Sequence, residues 1–346
     1  MEYLYPDTKT IKTFSGYYTD DTKLFNSASG GCASALSEII IRNNGVVFGV
    51  RYTDDFKGAV YDFAEKIEEL EQLKSSKYIY ASKKIILNGE EISIFKIVKQ
   101  FLENGRIVLF IGLGCDVAAL SNYIKKYNVD STNLYTVDLI CHGPTYPKIQ
   151  EAYIELLEDK FQSKVSSFSV RYKKKGWEPP FVYAEFENGR VFKEEFYRSY
   201  FGYAFVKYSR SSCYNCQFKG DHHVSDLTIG DFWGCNKKHS DYNPLGVSII
   251  FSRSSKGARL IEMLKNSSDF RINTTDTDFA IRHNSNFYKA RTPNKEIYDK
   301  FKKDFESHGL KYACVNSKGF RAYRLKKYKD HIKRFIPRAL LKFIKK

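Results

Sequence analysis

The chain has 346 residues, 42% hydrophobic and 28% charged, enough for one large domain or two ordinary ones. Its 26 Tyr and 27 Phe exclude a disordered chain, which is poor in such side chains. The net charge of +16 is mostly local: Arg321 to Lys346 carries eleven Lys or Arg against Asp330 alone, and the +6 left elsewhere gives no reason to expect a nucleic-acid partner.

No run reaches the about 18 uncharged apolar residues of a transmembrane helix. Met1 to Thr22 lacks the basic start and apolar stretch of a secretory signal. A cytoplasmic protein is therefore expected. There, Cys32, Cys115, Cys141, Cys213, Cys216, Cys235 and Cys314 read as metal ligands, catalytic groups or small buried hydrophobes rather than disulfides.

In chain order, Ser27-Ala28-Ser29-Gly30-Gly31 precedes a periodic apolar stretch, Ala33 to Ile41. Small residues before a helix let the backbone approach a phosphate or cofactor. Val46 to Val50 reads as a strand, Asp62 to Lys74 as an acidic helix, and Ile92 to Asn104 as a helix stopped by Gly105. Ile107 to Ile111 and Leu134 to Ile140 are apolar runs of the kind buried on both sheet faces. Helices at Val117 to Tyr127 and Pro147 to Phe161 alternate with them. This predicts an α/β half, residues 1–164, with a mainly parallel sheet core.

From Val165 the pattern becomes mixed α+β, through residue 320. Strands are expected at Ser166 to Tyr172, Val182 to Phe186 and Arg190 to Glu194, the last two joined by an Asn188-Gly189 hairpin turn. A helix near Glu195 to Phe205 follows, then strands at Leu227 to Ile229 and Gly246 to Phe251, and a helix at Lys256 to Leu264. Residues 321–346 form a basic amphipathic tail, with Ile332, Phe335, Ile336, Leu340, Phe343 and Ile344 among cations and Pro337 as a kink. Two readings stay open: a helix on an anionic membrane surface, making the protein peripheral at the inner face, or a helix docked on its own domain.

The chemistry centres on cysteine. Cys213-Tyr214-Asn215-Cys216 is a C-x-x-C, used by zinc, by iron–sulfur clusters and by redox pairs. No second C-x-x-C or His pair at zinc spacing accompanies it, and adjacent His222 and His223 point to opposite faces on a strand. Cys115 and Cys141 each follow a buried strand, with glycine close by, at the carboxyl ends where open α/β sheets place ligands. These two and the pair make four thiolates, the number a 4Fe-4S cluster needs.

The segments Ser27 to Gly31, Ser76-Lys77-Tyr78, Gly112-Leu113-Gly114-Cys115, Asp138 to Gly143, Lys175-Gly176-Trp177, Cys213 to Gly220 and Ser225 to Gly234 occur in one order. Together they resemble the coenzyme F420 hydrogenase/dehydrogenase beta-subunit family, from about Tyr17 to Leu264. That group of iron–sulfur flavoproteins includes chlorophyll-pathway reductases and members from bacterial surface-polysaccharide gene clusters. The resemblance implies FAD beside one 4Fe-4S cluster held by Cys115, Cys141, Cys213 and Cys216. Ser29, Gly30, Gly31, Ser76, Lys77 and Tyr78 fall where the family builds its flavin site. Lys77 is expected either to meet a phosphate or the reduced flavin, or to be a solvated surface lysine. His142 is expected either to relay a proton or to support a cluster sulfur.

Asp231, in Gly-Asp-Phe-Trp-Gly, either caps a turn or binds cofactor. Trp177 and Trp233 either stack on a cofactor or fill the core. Cys32, Cys235 and Cys314 read as buried small side chains. Relatives usually carry Thr-Pro and Gln around the first cysteine; here Leu113-Gly114 precede it and Asp116 follows, and nearby charge tunes a cluster. Many relatives begin with a ferredoxin domain, absent here, so a separate donor such as a ferredoxin or a reduced deazaflavin is expected. The substrate would be a small molecule or glycan-related compound. The alternatives are an electron-transfer subunit serving a partner enzyme and a zinc-stabilised binding protein.

Overall fold

The continuous apolar runs become the middle of an eight-stranded sheet. The structure is a computed structural model and describes residues 8–174, 176–317 and 319–326. Lys175 and the tail residues Ile332, Phe335, Ile336, Pro337, Leu340, Phe343 and Ile344 lie outside the described residues. In chain order the strands are β1 (Lys12–Tyr18), β2 (Val46–Tyr52), β3 (Ala59–Ala64), β4 (Lys84–Leu87), β5 (Glu90–Ser93), β6 (Val108–Leu113), β7 (Leu134–Leu139), β8 (Val165–Tyr172), β9 (Phe181–Phe186), β10 (Val191–Glu195), β11 (Leu227–Asp231), β12 (Ser248–Ser252) and β13 (Phe270–Thr274).

The main sheet runs β13-β1-β12-β11-β7-β6-β2-β3. Its centre, β11, β7, β6 and β2, is parallel. β3 and β12 close on it antiparallel, and β1 and β13 extend the β12 side in the same way. A three-stranded sheet, β10-β9-β8, and the β4-β5 hairpin stand apart. The main sheet therefore takes strands from both sides of residue 164.

Period-two alternation sends neighbouring side chains to opposite faces. Val46, Phe48, Val108 and Phe110 enter one core with Tyr153, Phe201 and Phe301, while Val47 and Leu109 enter the other with Leu36 and Leu260. The helices Pro147–Phe161 and Tyr200–Lys207 cover the first face, and Cys32–Arg42 and Ser255–Lys265 the second. This two-sided cover is what a parallel centre requires.

The expected acidic helix over Asp62 to Lys74 is corrected: residues 59–64 are β3, and only Leu70–Leu73 is helical. The sequence Ala-Val-Tyr-Asp-Phe-Ala alternates, burying Tyr61 against Phe110 in a stacked pair at 5.2 Å. Arg51 on β2 reaches Asp62 at 2.5 Å. Edge pairing and aromatic burial override the helical bias of the charges.

The first residues of the basic tail dock on the body. Phe320 and Tyr323 pack on Tyr203 with ring centroids at 4.7 and 5.2 Å, and Arg324 pairs with Glu194 at 3.0 Å. Among the described residues, no helix is long and apolar enough to cross a membrane.

Candidate functional site

Register brings the first two cysteines together. β6 and β7 are parallel neighbours with Leu113 opposite Leu139, so Cys115 and Cys141 follow at one level of the sheet edge. Cys115 opens the helix Gly114–Lys126, and Cys141 begins a loop. Gly143 turns that loop back with φ +104, and its N–H donates to Cys141 Sγ at 3.2 Å. A Cβ on Gly143 would lie 3.0 Å from Cys213 Cβ and 3.5 Å from its Sγ. Only glycine fits both the left-handed backbone and this approach.

Cys213 and Cys216 lie on and just after a short 3-10 turn, Ser211–Asn215. Backbone pairing ties this turn to the Cys141 loop. Arg210 N–H donates to Pro144 O at 3.0 Å, Thr145 Oγ1 to Tyr208 O at 2.6 Å, and Thr145 N–H to Tyr78 O at 3.0 Å.

The four thiols are close enough to act on one another. Burial first, then the Asp116 carboxylate and the Cys141 and Cys216 thiols, push Cys115 up to about 12, although the residue keeps an open face to solvent. Burial pushes Cys141 up to about 11, with Cys213 and Cys216 adding to it and Lys219 opposing. Cys213 is raised by burial and Cys216, against Arg210. Lys83, Lys219 and Arg210 thus face thiols that desolvation keeps protonated. Among the described residues, no three such ligands converge as a single-ion site would require. Cys32, Cys235 and Cys314 are buried.

A second cluster of polar groups adjoins the first. Asp231 ends β11 and pairs with Arg171 of β8 at 2.7 Å, with side chains 17% and 4% exposed. Tyr78 meets the same pair through Arg171. Lys173, two residues beyond Arg171, sends its Nζ to Leu24 O at 2.5 Å and Ser29 O at 2.7 Å. Burial pushes Lys173 down to about 7. The segments of Ser29, Tyr78 and Asp231 therefore meet, bridged by Arg171 and Lys173.

From Tyr78 a stack of rings leads to the cysteines: Tyr78 on Phe205 at 4.6 Å, then Phe205 on His142 at 4.4 Å. His142 Nδ1 donates to Gly143 O at 3.3 Å, while Nε2 accepts from Arg291. Burial, then the Arg291 cation, pushes His142 down to about 3, so it is neutral.

Other candidates are placed differently. Lys77 is buried and turned into its own loop, donating to Lys74 O at 2.5 Å and to Gln72 O and Ser75 O at 3.2 Å; burial pushes it down to about 7. Gly30 and Gly31 pack against protein: a Cβ on Gly30 would meet Gly16 O at 2.2 Å, and one on Gly31 the Tyr18 ring at 2.4 Å. Ser76 hydrogen-bonds Tyr78. Trp177 and Trp233 pack on each other at 4.8 Å.

Arg171, Lys173, Lys83, Phe205 and Arg291 were not singled out by the sequence reading. Arg171 and Val170 are both buried near the end of β8, and Lys173 is buried just beyond it, so no simple alternation marks them.

The fold and site define an open α/β-sheet protein with four cysteines gathered near the carboxyl edge of its parallel strands. The chain belongs to the coenzyme F420 hydrogenase/dehydrogenase beta-subunit family, whose C-terminal model matches residues 105–278. No curated protein matches the sequence. Among solved structures it is similar to a chain of the F420-reducing nickel–iron hydrogenase complex from Methanosarcina barkeri, determined with xenon derivatization. The two share 16% identity and a TM-score of 0.53, over 88% of this chain and 96% of that one, which is a likeness of fold.

Proposed function

We propose that the protein is an iron–sulfur flavoprotein oxidoreductase, with one 4Fe-4S cluster on Cys115, Cys141, Cys213 and Cys216 and FAD beside it. The observation that carries this reading is the gathering of four thiols from three separate stretches of sequence. A 4Fe-4S cluster takes one thiolate per iron, so its ligands surround a volume rather than a point. Lys83, Lys219 and Arg210 suit four thiolates whose charge burial otherwise opposes.

The flavin half is supported by Lys173, whose ammonium is buried with carbonyl partners and no carboxylate at ion-pair distance among the described residues. Buried cations are normally paired, and a diphosphate is the missing charge. Ser29, Ser75 and Tyr78 also hold left-handed φ of 52, 69 and 60, strain of the kind that collects at ligand sites.

When bound, the two groups supply one-electron and two-electron chemistry. The chain's own part is positional. Gly143 N–H would stabilise a Cys141 thiolate, Lys219 fixes the Cys141 carbonyl at 2.5 Å, and the Tyr78–Phe205–His142 stack links the two clusters. A second reading, an electron-transfer subunit without its own substrate, is favoured by the open face of Cys115.

The test is cofactor extraction from anaerobically purified protein. About one FAD per chain is expected, lost in Lys173→Met while iron is retained. A protein that releases no flavin refutes the flavin half of the proposal.

A further inference from the structure

We infer that Asp116 and Lys83 form an opposed charge pair that sets the reduction potential of the centre held through Cys115; the inference rests on the iron–sulfur reading above. Asp116 is 5% exposed in the first turn of its helix. Its Oδ1 takes Lys83 Nζ at 2.8 Å, and its Oδ2 takes the Tyr61 hydroxyl at 2.8 Å. Cys115 Sγ lies 3.9 Å from Oδ1.

The surroundings are built around this pair. Lys83 also donates to Ala81 O at 3.0 Å and lies over the Tyr80 ring at 3.8 Å. Gly112 leaves room for it: a Cβ there would meet the Tyr61 hydroxyl at 2.4 Å and Asp116 Cβ at 3.4 Å. Three elements, β3, β6 and the loop before β4, thus converge on one carboxylate that adjoins a thiol.

Charge beside a cluster ligand shifts its potential. A carboxylate favours the oxidised state, and an ammonium favours the reduced, more negative one. With side chains only 18% and 7% exposed, solvent screens Lys83 and Asp116 weakly. The two effects oppose each other, so removing one charge unmasks the other. Lys83 and Asp116 are positioning residues: both act through Cys115.

The experiment is an EPR-monitored redox titration of full-length protein, with iron and sulfide counted first. A wild type without iron defeats the underlying reading, whereas intact clusters with unmoved potentials defeat only this inference. Asp116→Asn should raise the midpoint by at least a tenfold change in the oxidised-to-reduced ratio, about 59 mV for one electron. Lys83→Gln, which keeps a donor but no charge, should lower it. Lys83→Arg should stay within about threefold of wild type, and the double variant should return toward it. Singles that keep the cluster yet move less than threefold, or in the opposite direction, overturn the inference. Should Asp116→Asn fail to fold, the contrast of Lys83→Gln with Lys83→Arg decides alone.

Discussion

Replacing Asp231 with Ala removes the carboxylate that pairs with Arg171, and the consequence follows from burial. The pair meets at 2.7 Å, and the guanidinium side chain is only 4% exposed. At an effective dielectric of about 20, unit charges about 4 Å apart attract by about 4 kcal/mol. Breaking a buried pair by removing one member costs about 3–5 kcal/mol, because the other charge stays desolvated. Lys173 relieves part of this. It already feels Arg171 as a repelling cation and Asp231 as an attracting anion. Lys173, at about 7, is already mostly neutral at pH 8 and adds little second positive charge beside Arg171, so the cost should fall near the lower end, about 3 kcal/mol at pH 8. Arg171→Met should cost less, since Asp231 is 17% exposed and keeps contact with water. The assay is urea unfolding of flavin-stripped wild type, both singles and Arg171→Met/Asp231→Leu. The double variant should cost less than the summed singles by more than about 1 kcal/mol. An Asp231→Ala midpoint that matches wild type, with additive singles, would refute the reasoning.

Gly143→Ala should cost about 1–3 kcal/mol from left-handed backbone, and the added methyl should press on Cys213; thermal unfolding and iron content should fall together. Lys173 carries a pH signature. Its folded value, about 7, lies below the ordinary 10.5, so between these the unfolded chain binds more protons and stability rises with pH, by up to about 1.4 kcal/mol per unit. Below about 7 this contribution is flat, with the buried ammonium at its full cost. Lys173→Met should lack the rise, and urea midpoints of the flavin-stripped proteins at pH 6.5 and pH 9 (conditions bracketing about 7) would show it. Equal pH slopes in the two proteins would contradict the assignment.

Much of the fold was legible because burial writes itself into period and composition. Ile107 to Ile111 and Leu134 to Ile140 are uninterrupted apolar runs, and they became β6 and β7 at the parallel centre. Pro147 at a first helical position marked the start of Pro147–Phe161. What was not legible depends on long-range pairing. β1 is held between β12 and β13, partners more than two hundred residues away in sequence, as Phe14 pairs with Ile250 and Thr274. β3 carries enough acidic residues around it to read as helix, and only its partner β2 makes it a strand.

The candidate site divides the same way. The placement of Cys115 and Cys141 just past the ends of neighbouring parallel strands was readable, because the apolar runs before them mark those strands. The C-x-x-C was readable from local spacing. Arg171, Lys173 and Lys83 were not, because a buried cation looks in sequence like any surface lysine or arginine until its partners are known. Lys77 shows the converse. Its motif points outward to a cofactor, while its ammonium here is turned toward Lys74 O and Ser75 O. Asp116 stood out only as a departure from relatives, and the structure supplies its partners, Lys83 and Tyr61.

The most direct test of the central claim is an iron and sulfide count on anaerobically purified wild type and on seven single Cys→Ser variants. The account predicts about four irons and four sulfides per chain in wild type. Loss of cluster is predicted in the variants of Cys115, Cys141, Cys213 and Cys216, and retention in those of Cys32, Cys235 and Cys314, which are buried. An iron-free wild type, or a cluster that survives the loss of Cys115 or Cys141, would contradict it.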